Sequence, residues 1–96
     1  MIYDMKVNFN QSFKDFKGNE VGVMISDEIG KVLFNLSTSN KTPLSADEKY
    51  MAYKLCNKVC RDDIELSAEE AAFILRAVGE FLTAGAYGQI RDLIEG

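Results

Sequence analysis

Ninety-six residues, 47% hydrophobic and 27% charged, fit one small domain, since independent domains run to about 100–150 residues. No histidine occurs anywhere, which excludes every Ser-His-Asp or Cys-His nucleophile system and nearly every catalytic zinc site. The net charge of −4 divides evenly between the two halves of the chain, so no basic arm exists to neutralise phosphate, and nucleic acid is not expected as the main partner.

Residues 1–25 read as a β-hairpin region. Ile2, Met5, Val7 and Phe9 are near-alternating apolar positions with Lys6, Asn8 and Asn10 between, the period of a half-buried strand. Phe13 and Phe16 precede Lys17-Gly18-Asn19-Glu20, a turn-prone tetrapeptide, and Val21, Val23 and Ile25 resume the alternation. An isolated hairpin is marginal in water, so this one must lie on something.

Residues 26–96 read as that support, a helical region. Ser26 stands before Asp27-Glu28 and the apolar series Ile29, Val32, Leu33, Leu36, which predicts a helix from about Asp27 to Leu36 with Ser26 as its cap. Residues 37–43 break it, because short polar side chains compete for backbone hydrogen bonds and Pro43 disfavours helix before it. Ser45 with Glu48, and Ser67 with Glu70, each spell a capping box. The second helix runs to about Cys60 and buries Met51, Ala52, Leu55, Cys56 and Val59. Ile64–Leu66 is long enough for a third short strand against the hairpin. A third helix reaches about Leu82 with Phe73, Ile74, Ala77, Val78 and Phe81 inward, and after Gly85 and Gly88 a last one covers Gln89 to Glu95. The fold class is therefore α+β: an N-terminal hairpin on three to four helices, in a single domain of residues 1–96.

Chemistry is sparsely encoded. Cys56 and Cys60 share a helix face, but with no histidine and no third cysteine they cannot close a tetrahedral metal site, and an i, i+4 disulfide is awkward. They read as small hydrophobes. Of the pairs Asp27-Glu28, Asp62-Asp63 and Glu69-Glu70, the first and last fall in first helical turns, where negative charge is favoured without any function. No catalytic residue, cofactor or metal is expected. Gly85-Ala86-Tyr87-Gly88 lacks the Lys-Ser/Thr ending of a phosphate loop. A helix-turn-helix reading of the last two helices would offer bases only Gln89 and Arg91, beside the unfavourable Asp92 and Glu95.

The aromatic content is the remaining feature. With six Phe and four Tyr, the chain has more rings than its core faces can take: Tyr50, Tyr53 and Tyr87 cannot all lie inward and form the candidate partner surface. No stretch approaches the roughly 20 apolar residues that span a bilayer, and the N-terminus lacks a signal-peptide core, so a cytoplasmic protein is expected.

The order of segments adds a resemblance. Met5-Lys6-Val7-Asn8-Phe9, Lys17-Gly18-Asn19, Lys31-Val32-Leu33, residues 44–50, Ile64-Glu65-Leu66-Ser67 and the closing residues 88–96 resemble a group of small proteins of tailed bacteriophages and prophages, mostly of unassigned function. Residues 1–4 and the two cysteines lie outside it. The resemblance implies a mobile-element setting in a bacterial cell, and no catalytic residue is carried over. The expected function is a non-enzymatic protein-interaction module, in particle assembly or on a host protein, by partner binding or self-association; the alternative is a small transcriptional or nucleic-acid-associated regulator.

Overall fold

The computed structural model describes residues 5–96 and has an α+β architecture of four helices and three antiparallel strand pairs. Strand β1 (Met5–Val7) is the described part of the first alternating segment; Ile2 lies outside the described residues. Its partner is β6 (Ile64–Leu66), in the register Met5↔Leu66, Lys6↔Glu65, Val7↔Ile64. Val7, Ile64 and Leu66 are buried on the core face, while Lys6 and Glu65 lie opposite one another toward solvent.

The hairpin is shifted along the chain from the expected one. It joins β2 (Ser12–Lys14) to β3 (Glu20–Met24), with a bulge between the pairs Ser12↔Met24 and Lys14↔Glu20. Gly22 takes φ 77° in that bulge and donates its N–H to Ser12 Oγ at 3.0 Å. The bulge leaves Val21 and Val23 exposed rather than alternately buried.

Helix α1 (Ile25–Phe34) follows β3 without a loop, so Ile25 opens a helix instead of ending a strand. Ser26 is not its cap but is buried in its first turn. Backbone carbonyls satisfy the amides instead: Ile25 N–H donates to Gln11 O at 2.9 Å and Ser26 N–H to Phe9 O at 2.8 Å. The supposed break contains a miniature hairpin, β4 (Thr38–Ser39) and β5 (Thr42–Pro43), turned by Asn40 and Lys41 at φ 53° and 65°, the two positive angles of a type I′ turn.

Helix α2 (Ala46–Val59) and helix α3 (Ala68–Phe81) begin at the expected capping boxes. Ser45 Oγ accepts from Glu48 N–H and Ser67 Oγ from Glu70 N–H, each at 3.1 Å, while each glutamate carboxylate accepts from its serine's own amide at 2.9 Å. Helix α4 (Ala84–Glu95) starts five residues before the expected Gln89, capped by Thr83, so Gly85 and Gly88 are helical. Leu82 turns inward at the end of α3 and leaves Phe81 51% exposed, against the expectation that it faces the core.

One buried cluster joins these elements. Phe9, Ile29, Leu33, Leu55, Val59, Leu66, Ile74, Val78 and Ile90 are fully enclosed in it. Met51 and Cys56 are only half-buried at its edge. Burying such side chains contributes about 1.5–3 kcal/mol each before conformational entropy is counted. Among the described residues, no helix is long and apolar enough to cross a membrane.

Candidate functional site

Helix α2 turns Ala52, Leu55 and Val59 inward, and the 100° step per residue then carries Tyr50 and Tyr53 to the outer side. Their rings stack with centroids 6.5 Å apart and planes 18° from parallel, and they are 61% and 52% exposed. Lys54 Nζ sits 5.0 Å from the centre of the Tyr50 ring, a cation–π distance. A large, ordered aromatic surface thus faces solvent.

The third tyrosine of the candidate surface is elsewhere. Tyr87 is half-buried between α3 and α4, where Gly79 admits its ring: a Cβ at Gly79 would stand 3.1 Å from Tyr87 Cε1. It packs the helix pair together and does not join Tyr50 and Tyr53. Phe34, 67% exposed at the end of α1, is another large apolar side chain in solvent. Phe34 falls outside the apolar series Ile29, Val32, Leu33, Leu36, and that off-phase position accounts for its exposure.

Between α1 and α2 runs an open cleft of about 380 Å³, lined by Gly30 and Phe34 on one side and Cys56, Asn57 and Cys60 on the other. Gly30 has nothing within 4 Å of where a Cβ would be, so its missing side chain widens the cleft. Burial pushes the Cys56 thiol above its ordinary pKa, with the neighbouring Cys60 adding to the shift. Cys56 therefore stays protonated at neutral pH, which is the reverse of an activated nucleophile. Cys60 is exposed, and its thiol donates to Asn57 O at 3.2 Å. Replacing both with alanine is expected to lower stability by about 1 kcal/mol, because only one of them packs against the core. Urea denaturation measures that cost, and an unchanged partner affinity in the same variant would separate packing from thiol chemistry.

The acidic pairs have local structural roles. Asp27 and Glu28 lie in the first turn of α1, and Glu70 serves the α3 cap and Lys58. Asp62 Oδ1 accepts from Asn10 Nδ2 at 2.7 Å, and Asp63 occupies a tight turn at φ 49°. Among the described residues, no three of Cys, Asp and Glu gather to hold a metal ion. Gln89 and Arg91, the side chains considered for base reading, are both engaged. The Gln89 amide accepts from Lys14 N–H at 2.8 Å and donates to Lys14 O at 2.9 Å, while Arg91 Nε donates to Glu95 at 2.9 Å.

A second exposed apolar region combines residues that no single stretch of sequence brings together. Phe16 and Phe81 flank a groove between the β2–β3 hairpin and the corner joining α3 to α4. Phe16, placed directly before a Gly-Asn turn, carried the signal that it would stand at a hairpin tip. No family model, no curated protein and no solved structure matches this chain.

Proposed function

We propose that this chain is a non-enzymatic protein-interaction module that binds a different protein through the outer face of α2. The observation that carries the reading is the stacked Tyr50–Tyr53 pair, held open to solvent. Tyrosine provides large apolar area and a polar tip with few rotatable bonds, which suits it to the centre of an interface. Lys54 Nζ lies over the Tyr50 ring, and Lys49, next to Tyr50 in sequence, is exposed, so cations edge the tyrosine pair. The matching partner surface is an apolar patch edged by carboxylates. The phage or prophage resemblance makes that partner a particle-assembly or host protein in the bacterial cytoplasm, and neither nucleic acid nor membrane is part of the proposal.

The test is the paired change Tyr50→Ala with Tyr53→Ala. Wild type and variant would be used side by side to capture protein from a bacterial lysate, and the purified captured protein would then be titrated against each by calorimetry. A desolvated tyrosine at an interface centre contributes about 2 kcal/mol, so the variant is expected to bind about thirtyfold or more weakly with an unchanged melting temperature. A wild type that captures no protein yet retains duplex DNA at about 0.15 M salt would overturn the reading in favour of a regulator.

A further inference from the structure

We propose that the β2–β3 hairpin face closes a two-fold dimer in which Phe16 of each copy seats in the groove beside Phe81 of the other. This face is separate from the Tyr50–Tyr53 surface and draws on different observations.

Phe16 is 95% exposed, and the turn that carries it is firmly built. Asp15 Oδ1 accepts the N–H groups of Lys17 and Asn19 at 2.9 and 3.0 Å. The Asp15 carbonyl accepts Gly18 N–H at 2.9 Å, and Asp15 N–H donates to Asn19 O at 2.8 Å. Gly18 at φ 88° closes the loop. Behind the turn, the two hydrogen bonds between Lys14 and Gln89 tie the hairpin stem to α4. The backbone that presents the ring is therefore ordered before docking, and only the side-chain rotamer remains to be fixed.

The receptor for such a ring lies on the same face. A groove of about 450 Å³ separates the hairpin from the α3–α4 corner, with Phe13, Val23 and Phe16 itself on one side and Phe81, Leu82 and Ala86 on the other, so the two Phe16 rings would meet across the two-fold. Its volume accommodates a phenyl ring. Knob and groove side by side on one surface are what a two-fold interface requires, because each copy must offer both halves of the contact.

Charge follows the same logic. Lys17 Nζ stands 5.7 Å from the Phe16 ring, and Glu28 lies on the wall of the groove, meeting Lys31 only at 3.6 Å on an exposed surface. In such a dimer Lys17, next to the seated ring, would approach a groove whose lining carries the partner's Glu28 as an opposite charge, together with one Lys14–Asp15 pair of mixed sign. Complete covering of Phe16, Phe81 and the flanking valines in both copies would bury at most about 1,000 Å², at the low end for specific complexes. A reversible dimer follows.

Sedimentation equilibrium on the full chain from about 5 to 500 µM tests this. The wild type is expected to pass from a mass of 10.7 kDa toward twice that value. Phe16→Ala should raise the dissociation constant at least tenfold without moving the dilute melting temperature. Lys17→Glu should weaken the dimer as well, and adding Glu28→Lys to it should restore it. Tyr50→Ala with Tyr53→Ala should leave self-association untouched, which keeps this result distinct from the partner-binding test. A wild type that remains monomeric throughout the range, or a dimer indifferent to Phe16→Ala, would overturn the proposal.

Discussion

Phe9→Ala is expected to cost about 3–5 kcal/mol, the range for removing a large aromatic side chain from a closed core. Phe9 is wholly enclosed in the cluster that joins the strands to the helices. Its carbonyl also accepts two amides, Gln11 N–H at 2.9 Å and Ser26 N–H at 2.8 Å, so the side chain anchors the stretch of backbone that starts α1. For a chain of this length the total stability is about 5–14 kcal/mol, and the loss would take a large share of it. In thermal unfolding, where 1 kcal/mol moves a small domain by about 4–8 °C, the melting temperature should fall by roughly 12–40 °C. Phe9→Leu refills most of the space and should cost less than about half as much. Phe16→Ala supplies the contrast, because a ring 95% exposed should change monomer stability by no more than about 0.5 kcal/mol. Equal losses at the two positions would mean that the core has been misplaced.

What could be read from the sequence was whatever depends on neighbours a few residues apart. Both capping boxes need only a serine and a glutamate three positions on, and both are present. The outward positions of Tyr50 and Tyr53 likewise follow from helical phase alone. Ser26 looked like the same kind of cap, but its helix start is closed by carbonyls of Phe9 and Gln11, well removed along the chain, and no local pattern reports that. The alternation around Val7 marks a strand without naming its partner, so Ile64–Leu66, nearly sixty residues away, could be matched to the hairpin region but not assigned to β1 in place of Val21–Ile25. Tyr87 shows the same limit: Gly79 on another helix determines its burial. Phe81 keeps the phase of the α3 core stripe, yet the helix stops at it and the inward turn of Leu82 puts the ring in solvent. The Phe16 groove is assembled from three separated segments and had no counterpart in any one stretch of sequence.

Glu70→Ala should destabilise the fold by about 1–2.5 kcal/mol, more than either of its roles alone would suggest, because one carboxylate serves two partners. It accepts the amide of Ser67 at 2.9 Å, completing the α3 cap, and it meets Lys58 Nζ at 3.1 and 3.2 Å, linking α3 to α2. Burial pushes the Glu70 carboxyl up, but the Ser67 amide and the Lys58 ammonium together outweigh it and hold the group below its ordinary value near 4.5. A depressed folded pKa means that the ionised carboxylate stabilises the fold above the unfolded pKa. That contribution is lost as pH falls through the lower folded value. Both side chains are about a quarter to a third exposed, and solvent screening limits the ion-pair part to about 0.2–1 kcal/mol. Glu70→Gln retains a neutral acceptor for the Ser67 amide but removes the charge that both partners favour, so at neutral pH it should lose less than Glu70→Ala. Stability profiles of wild type and Glu70→Gln in urea, from neutral pH down through the acid range, should therefore converge below pH 4.5. Asp15 and Glu48, also held below their ordinary values by hydrogen bonds from backbone amides, contribute equally to both proteins and cancel in the difference. Profiles that stay parallel into acid would show that Lys58 and the capping amide do not act on this carboxylate. A Lys58→Met change combined with Glu70→Gln then measures the coupling directly, and the double variant is expected to lose less than the sum of the two single changes.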